Sequence, residues 1–190
     1  MYDAVAWAVS FGQWKAWGRT TIPHLCGQRV LDLAHGPGHL LGALRDREFA
    51  PVGVDLSPYM GCLARRRLSE ADGLAVPLVR ARAQALPFRD GCFESVVSTF
   101  PAGFILAGAT LREAARVLGP NGRMVIAALI KLTGGDLLTR FIRWLYRITG
   151  QGELLPRESE ARMARAGFAP RAVWETVGQS QVMLVLADKR

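Results

Sequence analysis

The chain has 190 residues, half of them apolar and 21% charged, which suits one globular domain with a full core and argues against a disordered or fibrous chain. Its formal net charge of +8 admits nucleic acid, anionic lipid or an acidic small molecule as partner without choosing among them. No uninterrupted apolar run approaches the roughly 20 residues of a membrane span, and the opening Met-Tyr-Asp-Ala lacks the basic n-region of a signal peptide.

In chain order, residues 3–20 predict an amphipathic helix in which Trp7, Phe11, Trp14 and Trp17 form nearly one stripe, with Lys15 and Arg19 beside it. Residues 29–34 predict the first strand and Gly38 to Arg47 a helix. Pro51 to Leu56 reads as a second strand, followed by Ser57 as N-cap and Pro58 as the first position of a helix running to about Ala71. Val76–Ala81 and Ser95–Phe100 predict strands three and four. Thr110 to Leu118 carries helical apolar spacing at Leu111, Ala114, Ala115 and Leu118. Gly119-Pro-Asn-Gly122 reads as a turn and Arg123–Ile130 as a fifth strand. Ala169–Val177 and Gln181–Ala187 predict two more strands joined at Gly178-Gln179-Ser180. Strands alternating with helices imply right-handed crossovers, and so a parallel sheet covered on both faces, with ligands at the carboxyl ends of its strands.

The stretch Arg29 to Leu40 carries the most information. Val30, Leu31 and Leu33 are strand-like, yet Asp32 sits inside that apolar run. A buried charge is costly unless paired, so Asp32 is expected to have a partner or a task. Gly36 and Gly38 open the following loop to close backbone or ligand approach. The dinucleotide fingerprint needs a third glycine where Leu41 stands, and no Gly-Lys-Ser/Thr ending of a phosphate loop exists. What remains is a glycine loop beside an acid with no strong anion cradle, which suits a nucleoside bearing a positive centre and an amino-acid tail.

The run Asp32-Leu33-Ala34-His35-Gly36-Pro37-Gly38 resembles the acid-x-Gly-x-Gly-x-Gly pattern of the class I S-adenosylmethionine-dependent methyltransferases, with two of the three glycines kept. Together with three further blocks in the family's order, the resemblance covers roughly residues 29–130. It implies an α/β fold, a Rossmann-like three-layer sandwich whose seven-stranded, mostly parallel sheet ends in an antiparallel C-terminal hairpin strand. It also implies S-adenosylmethionine as cofactor. Residues 1–190 are then one methyltransferase domain, with a helix in 1–25 and an insertion at 131–168 covering the substrate side.

The cofactor-binding residues implied are Asp32, Ala34, His35, Gly36 and Gly38 in the first block and Asp55 and Leu56 after the second strand. Asp55, 23 residues beyond Asp32, is placed to accept from both ribose hydroxyls, and Leu56 to flank the adenine. Ala34 stands where the first glycine belongs, and its methyl is tolerable if its φ is negative. Arg82 replaces an Asp that in the family meets the adenine amino group; a guanidinium only donates, so Ala83 and Gln84 are the candidates for that contact, with Arg82 a solvated charge on the competing reading. Thr99 and Phe100 close strand four, beside the methionine tail and the methyl group. His35 and His39 flank the loop, where each is either a ligand contact or an ordinary hydrogen-bonded histidine. His24, His35 and His39 share no metal spacing, and Cys26, Cys62 and Cys92 are dispersed, so no metal is expected and the thiols read as reduced, in a cytoplasmic protein.

Transfer of a sulfonium methyl is an in-line displacement in which the protein chiefly aligns the partners. No compelling general base stands out in the sequence. On the substrate side, Trp14, Trp17 and Phe100 are joined by Phe141 and Trp144 from the segment Leu137–Ile148, where Arg140, Arg143 and Arg147 line one side. Aromatics and arginines beside aliphatics suit an interfacial helix and hence a small apolar, aromatic or lipid acceptor at an anionic membrane; burial of the same aromatics against the sheet is the competing reading. The blocks are similar to the quinone and phospholipid methyltransferase branch. An RNA methyltransferase and a scaffold that has lost catalysis are the alternatives; nucleic acid is disfavoured because the strand-four segment Ser98-Thr-Phe-Pro101 lacks the Asn/Asp-Pro-Pro-Tyr/Phe motif of base-amine enzymes.

Overall fold

The computed structural model describes residues 13–69, 75–132 and 157–190. Its elements are α1 (Trp14–Arg19), β1 (Arg29–Leu33), α2 (His39–Arg45), β2 (Ala50–Asp55), α3 (Pro58–Ser69), β3 (Leu78–Arg80), β4 (Phe93–Thr99), α4 (Gly108–Val117), β5 (Leu118–Leu132), α5 (Arg157–Arg165), β6 (Phe168–Val177) and β7 (Ser180–Lys189). Short 3₁₀ turns at Ile22–His24 and Gly103–Leu106 complete the set. The first helix is described from Trp14 onward; Trp7 and Phe11, and the segment carrying Phe141, Trp144 and Arg140, Arg143 and Arg147, lie outside the described residues.

The seven strands form one sheet in the order β3-β2-β1-β4-β5-β7-β6. β1 pairs in parallel with β2 and β4, β2 with β3, and β4 with β5. β7 runs antiparallel between β5 and β6, so the C-terminal hairpin closes the sheet as the family resemblance implies. Strand order reverses between β1 and β4, which opens a crevice at their carboxyl ends.

Both faces of the sheet are covered. On one face Val30, Val97, Val125, Leu184 and Leu186 meet Trp17 of α1 and Leu40, Ala43 and Leu44 of α2. On the other, Leu31, Leu33, Val96 and Met124 meet Leu111, Ala114 and Val117 of α4 and Met163 of α5. Strands covered on both faces are buried residue after residue rather than in alternation, which is the pattern of β1, β4 and β7. Ser57 caps α3 as expected, its Oγ accepting from the N–H of Met60 at 3.3 Å.

One connection differs from its sequence signal. Gly119–Gly122 does not separate α4 from a strand beginning at Arg123; β5 begins at Leu118 and holds these residues as an irregularity. Phe93 opposes Leu118, and pairing resumes at Ser95 opposite Arg123, so the extra residues are looped out between two paired positions. Asn121, at φ 58°, takes the left-handed conformation there that Asn tolerates better than most side chains.

Candidate active site

The loop after β1 is built from three left-handed residues in alternation: Ala34 at φ 65°, Gly36 at 54° and Gly38 at 80°. The condition on which a methyl at Ala34 is easily tolerated, a negative φ, is therefore not met. Two bonds hold the residue in the glycine conformation regardless, since the N–H groups of Ala34 and His35 both donate to the carbonyl of Val54, at 2.7 and 3.2 Å. At Gly38 the glycine is required by packing, because a Cβ would lie 2.9 Å from the Cβ of Ala64 on α3. At Gly36 a Cβ would meet nothing within 4 Å: the loop faces open space there.

Asp55 closes the other wall. Its Oδ2 accepts from the N–H of Gly36 at 2.9 Å and its Oδ1 from the N–H of Ser57 at 2.8 Å, which fixes the carboxylate between the two loops while leaving each oxygen further lone pairs. Two contiguous clefts meet at this point. One, of about 430 Å³, is lined by Leu33, Ala34, Asp55, Leu56, Ala83 and Gln84 among others. The second, of about 240 Å³, runs past Gly36 and Pro37 to Trp14, His39, Thr99 and Phe100. Ala34, Asp55 and Phe104 border both.

The structure thus brings Ala34, His35, Gly36, Asp55, Leu56, Ala83, Gln84, Thr99, Trp14 and Phe100 to one continuous depression at the carboxyl ends of β1, β2 and β4. Gly38 stands behind it, as a packing position. Trp17 is a correction of another kind. It is buried, its Nε1 donates to Oγ of Ser180 at 2.7 Å, and it lines neither cleft. Its ring buttresses Phe100 at 6.4 Å, while Trp14 meets Phe100 at 4.8 Å and forms the wall itself. Phe104 escaped sequence reasoning; only its place on the turn after β4, where Thr110 Oγ donates to its carbonyl at 2.8 Å, brings it between the clefts.

His35 is buried and sits over the sheet, with Gly53 leaving room for it: a Cβ on Gly53 would fall 2.8 Å from the imidazole Cδ2. Its Nδ1 lies 2.6 Å from the Gly36 carbonyl, which can only accept, so Nδ1 carries the proton. Burial holds this imidazole below its ordinary pKa, so it stays neutral and braces the loop. Arg82 is exposed at the rim of the larger cleft, as its solvated reading has it.

Asp32 is the buried acid that the apolar run of β1 predicts. Neither of its carboxyl oxygens has a hydrogen-bond partner among the described residues. Burial, reinforced by the nearby charge of Asp55, pushes its pKa up to about 8. The side chain thus avoids a buried charge by keeping its proton rather than by pairing. Orphaned acceptors beneath the loop, open space at Gly36 and an acid with spare lone pairs at the end of β2 together fit a nucleoside whose tail carries positive charge. No group of three or more His, Cys, Asp or Glu able to hold a metal ion exists among the described residues.

Residues 30–122 match a family model described as a methyltransferase domain. The chain is 40% identical over 133 residues to a demethylmenaquinone methyltransferase of Thermus thermophilus, covering 66% of this chain and 59% of that one. It is 32% identical over 171 residues to a ubiquinone/menaquinone biosynthesis C-methyltransferase of Yersinia enterocolitica, covering 84% and 67%. The chain thus spans about three fifths to two thirds of the length of these relatives. Its fold matches a geranyl diphosphate C-methyltransferase of Streptomyces coelicolor, solved with S-adenosyl-L-homocysteine, at a TM-score of 0.68 and 18% identity, over 92% of this chain and 80% of that one. By sequence and by fold, the chain belongs to the class I S-adenosylmethionine-dependent methyltransferases, on their quinone-methyltransferase-like branch.

Proposed function

We propose that the chain methylates a ring carbon of an apolar, hydroxylated aromatic acceptor of the reduced-quinone type, with S-adenosylmethionine as donor. One observation carries the choice of acceptor. The smaller cleft is walled by the rings of Trp14 and Phe100, 4.8 Å apart, and the backbone turns left-handed at Phe100, φ 49°, to put that ring there. Flat aromatic walls suit a flat apolar ring. The names of the relatives, demethylmenaquinone and ubiquinone/menaquinone methyltransferases, point the same way.

When bound, S-adenosylmethionine supplies an electrophilic methyl group on a sulfonium. In this reading Asp55 takes the ribose hydroxyls, and Leu56, Ala83 and Gln84 line the purine. Ala34, Gly36 and Thr99 flank the amino-acid tail and His35 holds the loop in place. Asp32, beneath the loop and protonated in the free fold, gives up its proton in this reading when the cationic tail binds, and its carboxylate then offsets the tail's charge. The chain's work is alignment: it fixes the donor along β1 and β2 and the acceptor against α1 and the end of β4.

A quinone with an apolar tail resides in a bilayer, so the reading places the chain in the cytoplasm, at an anionic membrane surface. The net charge of +8 supports this, as do the exposed Leu56 on the larger cleft and the exposed Tyr59, Arg65 and Arg66 of α3. No described helix is long and apolar enough to cross a membrane. The test is a labelled-methyl assay with a chemically reduced, short-tailed demethylmenaquinone. Label in the ring methyl of the product, identified by mass spectrometry, is expected; transfer only to RNA would replace this reading with the nucleic-acid one.

A further inference from the structure

We infer that His39 is the general base of the reaction, taking the proton from a hydroxyl of the aromatic acceptor. This rests on the reading of the acceptor given above. Methylation at carbon needs an electron-rich ring, and a phenol becomes one when its O–H proton leaves. The smaller cleft has three titratable side chains among the described residues: His35, His39 and Asp55. His35 faces the sheet over Gly53, with Nδ1 engaged by the Gly36 carbonyl. Asp55 is spanned by the N–H groups of Gly36 and Ser57 and belongs to the wall shared with the nucleoside cleft. His39 is half-buried and part of this cleft's wall, as are Trp14, Thr99 and Phe100, the residues proposed for the acceptor side.

The side chain reaches that wall for a local reason. Gly38 turns left-handed at φ 80° and starts α2, so residue 39 is the first helical position, directly after the bend around Gly36. α1, with Trp14, packs across α2. Asp55 from β2 and His35 from the loop line the same cleft as His39, Arg67 from α3 donates to the carbonyl of Pro37 two residues before it, and Lys15 and Arg19 of α1 are exposed.

The step balances as follows. The acceptor's O–H bond breaks and its proton goes to the imidazole of His39. The electron pair left on oxygen enters the ring, the ring carbon forms its bond to the methyl, and the methyl–sulfur bond breaks with its pair on sulfur. The hydrogen displaced from the methylated carbon leaves as the one net proton. Its bonding pair restores the aromatic ring and returns a pair to oxygen. His39 gives its proton back to that oxygen, which regenerates both the hydroxyl and the base.

The experiment compares the wild type with His39→Gln in three measurements. Calorimetric binding of S-adenosylmethionine should be the same within threefold, which shows a folded donor site. The kcat/KM with the reduced short-tailed demethylmenaquinone should fall about 100-fold or more, and its acid limb should vanish. In the presence of S-adenosyl-L-homocysteine, a bound nitro-substituted naphthol should show its coloured anion at least one pH unit lower in the wild type than in the variant. Equal rates, an unchanged acid limb or equal ionisation of the naphthol would overturn the assignment and leave the acceptor reading standing. A wild type that binds the donor but never methylates the quinol would end both.

Discussion

The backbone N–H of Gly36 donates to Oδ2 of Asp55 at 2.9 Å, joining the loop after β1 to the end of β2 across 19 residues of sequence. The bond makes the two halves of the donor site one unit: the acid proposed for the ribose is aimed by the loop proposed for the tail. Replacing Asp55 by Ala removes this acceptor and the one used by Ser57, as well as the two contacts proposed to the ribose. Charge-assisted hydrogen bonds contribute roughly 1.5–3 kcal/mol each, so affinity for S-adenosylmethionine should fall at least tenfold. Asp55→Asn keeps one acceptor oxygen and should fall between the two. Calorimetry with both variants checks this; unchanged affinity in Asp55→Ala would remove Asp55 from the donor site.

Ala34 gives an opposite kind of test, because its conformation costs stability. A left-handed L-residue is roughly 1–2 kcal/mol less favourable than a right-handed one, and glycine avoids that cost. Glycine also loses about 0.5–1 kcal/mol more on folding, so Ala34→Gly should be stabilising by up to about 1.5 kcal/mol, or neutral. For a domain of this size 1 kcal/mol moves Tm by roughly 2–4 °C. Ala34→Val should be destabilising, as a β-branched side chain tolerates φ 65° poorly. A clear drop in Tm for the glycine variant would contradict the left-handed loop.

These two residues also show what the sequence could reveal. Asp32, Gly36, Gly38 and Asp55 lie at strand ends, where a short apolar run and the residue that breaks it fix both the element and the loop, so local pattern located them. The sign of φ at Ala34 was not local: it is set by bonds to Val54 on the neighbouring strand. The place of the Gly119–Gly122 turn within β5 likewise depends on β4, which pairs on either side of it. Phe104 and Trp14 owe their place in the site to how the turn after β4 and α1 lie across the sheet. For α1 that is fixed by the Trp17–Ser180 bond, 163 residues apart, and no motif in either segment records it.

Asp32 should leave a signature in the pH dependence of stability. Its carboxyl holds a proton up to about pH 8 in the folded chain, against an ordinary value of 3.8. Between those values the folded state keeps a proton that the unfolded chain has released. Its contribution is therefore full below about pH 4, is lost as pH rises and is gone above about pH 8. His35 acts with the opposite sign. Its lowered pKa means the unfolded chain binds the extra proton, so its contribution is present above about pH 6.5 and is lost as pH falls. Above that range the slope belongs to Asp32. From pH 7 to 8.5 the wild type should lose thermal stability, whereas Asp32→Asn, which cannot titrate, should lose less. Parallel melting curves of the two proteins across this interval would show that Asp32 is already ionised in the fold.

The aromatic wall separates acceptor from donor. Trp14 touches Phe100 at 4.8 Å and both line the smaller cleft, whereas neither borders the larger one where the nucleoside is placed. Because the donor's tail shares the smaller cleft at Gly36 and Thr99 while the nucleoside does not reach the two rings in this reading, truncating either ring should act mainly on the acceptor. An aromatic pair contributes about 0.5–1.5 kcal/mol beyond the area it buries, so Trp14→Ala should raise the KM for a reduced demethylmenaquinone roughly three- to tenfold. The Kd for S-adenosylmethionine should stay put. Phe100→Ala should do the same and, because alanine strains less than phenylalanine at φ 49°, should cost less global stability than burial of the ring alone would suggest. Trp17→Phe is the contrasting case. It removes the indole N–H that holds Ser180 but keeps an apolar ring, so it should lower Tm by loosening α1 and disturb KM only through Phe100. Steady-state kinetics in both substrates with melting curves on the three variants distinguishes wall from buttress. A Trp14→Ala protein that lost donor affinity as much as acceptor affinity would show that the two clefts do not divide the ligands in this way.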